Sequence, residues 1–313
     1  MASPSRAVGG GGRAPIPAVV NMGARHAEAW LKALRADTRF RAVPLSRTAI
    51  EPAVREAALP GTPVVAVAGG DGTLGQAAAA LVGSDTALAV LPAGTRNHFA
   101  RDHEIPLDPP QALDVAASGV ARTVDVGRVE GRIFLNTSSV GSYVNYVRLR
   151  WRMERWLGYG GASVVAAMRN LRRFRGYAVR LEVDGMQVRY EAPVVFIGVG
   201  ERELARPSIG GRKRGGRRGL HVLVLSETSR LAAVRLAARA FTTGLTSLGE
   251  ESGVHGFLVD ACEVDLPRPQ GTVALDGELE GMRAPLRYQL ERDALRVIGA
   301  GDSGGLVGAG VGR

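Results

Sequence analysis

The chain of 313 residues has one cysteine, Cys262, and only two lysines, Lys32 and Lys213. A lone thiol closes no internal disulfide and offers no thiolate cluster to a metal, so a reducing cytoplasm is the expected setting. No apolar stretch reaches the roughly 18 residues needed to cross a bilayer. The first residues carry no basic segment followed by a long apolar run, so no signal peptide is expected, and any meeting with lipid would be at a surface. The histidines, His26, His98, His103, His221 and His255, have no metal-ligand spacing. Two nucleotide signatures are also missing. A P-loop needs Gly-Lys-Ser/Thr, but Lys32 is followed by Ala33 and Lys213 by Arg214. The catalytic loop of protein kinases is absent too.

What is present is basic and rich in glycine. The formal net charge is +10, and nearly all the cations are arginines. That excess favours an anionic partner: a nucleotide, a nucleic acid or an anionic membrane. Hydrophobic residues make up 45% of the chain, enough for one large domain or two ordinary ones. Many of the 42 glycines sit at the ends, in Gly9–Gly12 and from Gly299 to Gly312. Such segments cannot offset the entropy of ordering, so residues 1–13 and 301–313 read as disordered tails.

Along the chain, Ile16 to Val20, Ala42 to Leu45, Val64 to Ala68 and Ala87 to Leu91 read as strands. Ala27 to Leu34, Ile50 to Leu59, Leu74 to Val82 and Arg96 to Arg101 read as helices between or after them. This alternation predicts an α/β domain over 14–123 with a parallel sheet covered on both faces. The last two strands are continuous apolar runs, as expected for strands buried on both sides. After about Thr123 strand follows strand, from Ile133 to Asn136 through Thr272 to Leu275, with helical patterns near 151–174 and 229–243. Asp184-Gly185 between two alternating runs signals a hairpin. The region 124–283 reads as an antiparallel β-sandwich with inserted helices. Leu286 to Val297 reads as a strand pair or a strand and a turn, and about 284–300 as a return to the first domain.

The strand ending at Ala68 delivers Gly69-Gly70-Asp71-Gly72-Thr73 to a helix start. Glycines let backbone approach phosphate oxygens, and a helix N-terminus supplies free N–H groups and the positive end of a dipole. A carboxylate there cannot attract phosphate itself; its use is to hold Mg²⁺, which bridges the phosphates. Thr73 can cap the helix or bond a phosphate. The plain alternative is a tight strand-to-helix turn with an Asp cap. A second glycine turn, Gly94-Thr95-Arg96-Asn97, ends the next strand, so both turns would line one crevice at the carboxyl ends of a parallel sheet.

GGDGTLGQAAAAL followed by LPAGTRNHFAR resembles the diacylglycerol kinase catalytic domain family, its bacterial lipid kinases above all, with sphingosine kinases as cousins. The second motif separates the lipid branch from NAD kinases and phosphofructokinases, which share the first. Val273-Ala274-Leu275-Asp276-Gly277-Glu278 resembles the family's strand ending in Asp-Gly-Glu, and Phe134-Leu135-Asn136 with Gly141 resembles a further family segment. The resemblance spans about 15–299. It implies an N-terminal three-layer α/β domain for ATP, a C-terminal β-sandwich for lipid, and transfer of a γ-phosphoryl group to a lipid hydroxyl with Mg²⁺. By motif position Gly69, Gly70, Asp71, Gly72 and Thr73 would hold the phosphates and, through Asp71, the metal. Gly94, Thr95 and Asn97 would complete the cleft. Ser46 stands where the family often has Thr near the nucleotide, and Asn21 where it has Asn-Pro, here followed by Met22 and Gly23.

Glu278 matches the family's general base, a carboxylate able to take the proton from a hydroxyl. Asp276, two residues earlier on the same strand, would point to the same side and orient Glu278 or bind metal. Two departures stand out. The family's polar Asn and glycine cluster is replaced by Gly200-Glu201-Arg202. The family's Asp-Gly pair, associated with a structural Mg²⁺ site, is replaced by Arg217-Arg218-Gly219-Leu220, which implies that this site is absent or replaced by the guanidinium charge. Arg148 to Arg175, with Trp151 and Trp156, and Arg206 to Arg218 read either as solvated faces or as peripheral contact with an anionic membrane. No nucleic-acid module accompanies the charge, and nucleic acid is not the expected partner. Homodimerisation is left open. The rival readings are a nucleotide-binding, membrane-associated protein with reduced or no kinase activity, and a kinase of a soluble substrate such as NAD.

Overall fold

A computed structural model describes residues 14–141, 144, 153, 156, 177–183, 186–203, 210–226, 254–266 and 268–300. The expected tails, most of both helical patterns, the Asp184-Gly185 turn and nearly all of the first Arg-rich stretch lie outside the described residues.

The first third alternates as expected. Its elements are β1 (Ile16–Asn21), α1 (Ala27–Ala36), β2 (Phe40–Leu45), α2 (Ile50–Ala57), β3 (Val64–Gly69), α3 (Asp71–Leu81), β4 (Ala87–Pro92), α4 (His98–Asp102) and α5 (Pro109–Ser118). The strands lie parallel in the order β2-β1-β3-β4. Side chains alternate across this sheet with the period of two that a strand imposes. Val65 and Val67 join Ile50, Val54, Leu74 and Leu81 on one face, while Ala66 and Ala68 join Trp30, Leu34 and Leu113 on the other. Helix α5 was not foreseen from the sequence, although Asp108 caps it by accepting the Gln111 N–H, with proline in its first turn.

Beyond α5 the chain forms β5 (Val120–Val129), β6 (Arg132–Phe134), β7 (Thr137–Gly141), β8 (Tyr177–Val183), β9 (Met186–Ala192), β10 (Val194–Val199), β11 (Leu220–Leu225), β12 (Val254–Val259), β13 (Ala261–Val264), β14 (Gln270–Leu275), β15 (Glu278–Arg283) and β16 (Leu286–Gly299). Among the described residues, β12-β11-β10-β7-β14-β15 make one antiparallel sheet. The last segment is one strand of 14 residues, neither a strand pair nor a strand and a turn. Its register shifts between Glu291 and Leu295, and it stays extended because partners flank it throughout: β13 on its first half, β4 near its end and β5 along both halves. Through β16 the parallel sheet continues into β13, β8 and β9. The two sheets pack over a core that includes Val195, Ile197, Val222, Leu181 and Tyr288.

Two arginines from the β10–β11 connection tie these parts together. Arg218 donates to the carboxylates of Asp125 on β5 and Asp293 in the irregularity of β16. Burial works to raise Asp125, but the bonds from Arg218 and from the Asp293 N–H outweigh it and leave the carboxyl below its ordinary value. Arg202 is buried and reaches Asp102 at the end of α4 at 2.7 Å, the Asn136 carbonyl at 2.7 Å and the Val199 carbonyl at 2.6 Å. Burial pulls its guanidinium below the usual value, and Asp102 opposes that pull. Replacing Arg202 with Met leaves the Asp102 carboxylate without its buried counter-charge. A loss of about 3–5 kcal/mol is expected, read as a lower denaturant midpoint; an unchanged midpoint would show that the pair contributes nothing.

Candidate functional site

In the order β2-β1-β3-β4 the chain reverses its winding between β1 and β3, and the carboxyl ends of strands at such a point form a crevice. The sequence places a special residue at each of those ends: Asn21 on β1, Ser46-Arg47 after β2, Gly69-Gly70 after β3 and Gly94 after β4. Asn21 is buried; its amide donates to the Thr73 hydroxyl at 2.7 Å and its carbonyl accepts the Gly23 N–H. Gly70 and Gly94 meet back to back. A Cβ on Gly94 would stand 2.6 Å from the Gly70 Cα, so the two turns can approach only as glycines.

The Asn97 side chain closes the Gly94 turn, accepting the Gly94 N–H and donating to its carbonyl, from a left-handed backbone at φ 51°. Its amide oxygen and one of its N–H groups are therefore engaged by the turn. Thr95 is exposed beside it. Ser46 is exposed, with its hydroxyl 3.4 Å from that of Thr48 within its own turn.

Asp71 sits at the first position of α3. Its carboxylate accepts the His98 and Phe99 N–H groups at 3.1 and 3.0 Å, and the Asn136 amide at 3.4 Å. It therefore caps α4, the helix of the second turn, rather than its own. The Asn136 Oδ1 is buried and has no protein partner among the described residues.

Asp276 corrects an expectation. It does not share a strand with Glu278, because β14 ends at Leu275 and Asp276-Gly277 form the turn, both with positive φ. The turn swings its carboxyl inward, where it accepts the N–H groups of Leu135, Asn136 and Thr137 at 2.7, 2.8 and 2.9 Å. It holds the β6–β7 connection and has no bond to Glu278. Its carboxyl is raised from 3.8 to about 6, chiefly by burial; the three N–H bonds oppose the rise, and the nearby Asp71 charge adds to it. Between those values the folded protein binds more protons than the unfolded one, so this group adds stability as pH falls through about 6. From pH 7 to pH 5, wild type should gain of order 1 kcal/mol relative to Asp276→Asn in urea unfolding. A relative loss would contradict the raised value.

Glu278 opens β15 and reaches across to the glycine loop between β3 and α3. Its carboxylate lies against Gly72, in the space a Cβ there would fill, and it pairs with the Arg47 guanidinium. A side chain of the second sheet and the first turn of α3 thus share one point. Beside it opens a cavity of about 680 Å³ whose lining includes Glu51, Arg55, Gln76, Arg132, Asp276 and Glu278. Arg47 and Arg202 were missed from the sequence as site residues. Each is one arginine among many, and its partner lies far along the chain.

A family profile described as "Diacylglycerol kinase catalytic domain" matches residues 21–129. A Pseudomonas aeruginosa (strain PAO1) protein named "Probable lipid kinase YegS-like" is 34% identical over 253 residues, 78% of this chain and 79% of that one. A Mycobacterium tuberculosis (strain H37Rv) protein named "Diacylglycerol kinase" is 32% identical over 132 residues, 41% of this chain and 43% of that one. The crystal structure of a diacylglycerol kinase from Bacillus anthracis str. Sterne superposes with a TM-score of 0.63 at 18% identity, over 91% of this chain and 96% of that one, a likeness of fold.

Proposed function

This chain belongs to the diacylglycerol kinase catalytic domain family, whose members include lipid kinases, and from that premise we propose that it transfers the γ-phosphoryl group of ATP to a hydroxyl of a lipid. The observation that carries the reading is the contact of Glu278 with Gly72, which brings a carboxylate from the second sheet to the start of α3. In this reading the N–H groups that open α3, left without helical partners, bind the phosphates. The exposed Thr95 hydroxyl adds to them, while Asn21, Thr73 and Asn97 keep the two turns in place. Glu278 takes the proton of the lipid hydroxyl as its oxygen forms the new bond to phosphorus and the bond to ADP breaks. The oxygens of Asp71 and the unpartnered Asn136 Oδ1 fit a hard cation, and Mg²⁺ held there would neutralise phosphate charge.

The test is incubation of the protein with labelled ATP and a mixed lipid extract. Label in the organic phase supports the proposal. Label in a soluble nucleotide would favour the NAD-type reading, and nucleotide binding without transfer the non-catalytic one.

We place the protein in the cytoplasm, at the surface of an anionic membrane. Among the described residues no helix is long and apolar enough to cross a membrane. In the second basic stretch Lys213 and Arg217 pair with Glu201, and Arg214 with Glu104, while the arginines between 148 and 175 lie outside the described residues. Binding to anionic vesicles should fall steeply with salt, since exposed charges are screened within about 8 Å at physiological ionic strength. Equal binding to neutral vesicles would count against docking by charge.

A further inference from the structure

Arg47 opens the short turn after β2, beside the switch point, with 58% of its side chain exposed. Its guanidinium lies on the carboxylate of Glu278, and that carboxylate rests on Gly72. Glu278 thereby puts a negative charge at the first turn of α3, where N–H groups lack helical partners and the dipole is positive. This is the place where a phosphate is held best. A guanidinium pairs with carboxylate and phosphate through the same fork of N–H donors. The Glu278 carboxylate and a phosphate group are therefore rivals for the same two positive sources.

We infer that Arg47 is a phosphate-binding residue whose guanidinium exchanges Glu278 for the terminal phosphate of ATP. The inference rests on the proposed use of ATP. Before the nucleotide arrives, the ion pair keeps the carboxylate occupied and the guanidinium placed. Arrival of the terminal phosphate draws Arg47 away and leaves Glu278 free to face a hydroxyl. ADP, which lacks that phosphate, leaves the pair intact.

Calorimetric titration of the full chain with ATP and with ADP, each with magnesium, tests this. Arg47→Ala should weaken ATP binding roughly tenfold, as expected for a lost charge-assisted contact, and change ADP binding less than about twofold. Arg47→Lys should recover part of the loss. Glu278→Gln should tighten ATP binding by roughly fivefold, the scale of one exposed ion pair, and that gain should shrink when Arg47 is also Ala, to what relief of the α3 N-terminus alone supplies. Equal losses for ATP and ADP, no loss in Arg47→Ala, or a gain in Glu278→Gln that is undiminished in the double variant would each overturn the exchange. Wild type that binds ATP while Arg47→Ala is indifferent removes this inference alone. Wild type that binds no nucleotide removes the ATP reading and the inference with it. Arg47 is exposed, so its single variants should melt with the parent, which a thermal scan checks.

Discussion

Glu278→Gln is expected to lower turnover by roughly 10²–10⁴-fold while ATP binding is kept or slightly tightened. Gln preserves the shape that rests against Gly72 and can still hydrogen-bond, but it cannot take a proton from a hydroxyl. Its effect would be confined to the transition state, so the loss appears in turnover at saturating ATP. Glu278 is no distant residue of the second sheet but a neighbour of the glycine loop that opens α3. Were it a nucleotide or metal contact instead, the Gln variant would bind ATP more weakly and turn over normally once saturated. Asp276→Asn should act differently. Asp276 bonds only to backbone around Asn136 and would change stability and its pH dependence before it changed chemistry.

Asp71→Asn should cost two or more orders of magnitude in turnover, together with about 1–3 kcal/mol of stability. The carboxylate accepts three donors: two N–H groups that open α4 and the Asn136 amide. An Asn has a single acceptor oxygen, and its NH₂ would face an N–H, so at least one of the three donors loses its partner. The two readouts separate the roles. A fall in the denaturant midpoint with near-normal turnover would make Asp71 a cap of α4 and nothing more. A fall in turnover with the midpoint little changed would place its work in the charge.

The parallel half was legible because its strands are buried on both faces. Val64 to Ala68 and Ala87 to Leu91 carry unbroken apolar runs, and each is followed by a glycine turn. The two turns read as one crevice from the sequence alone, since adjacent parallel strands end on the same side. Helix α5 was harder. Its start is written in Asp108-Pro109-Pro110, but a proline pair reads as readily as a turn as it does as a helix start. The segment from Leu286 to Gly299 was ambiguous for another reason: a local pattern cannot say whether partners exist along its whole length.

What the sequence determined by itself was the chemistry that repeats locally: a glycine loop between strand and helix, and a second one beside it. Such features depend on backbone freedom and side-chain type over a few residues. What only the tertiary structure decided was which charges meet. Asp71 turned out to cap α4, Asp276 to bind the backbone at 135–137, Arg202 to pair with Asp102, and Glu278 to lie between Gly72 and Arg47. The physical reason is that a salt bridge or a cap is set by distance in space, and nothing in a residue's neighbours along the chain encodes the partner that a sheet crossing brings to it.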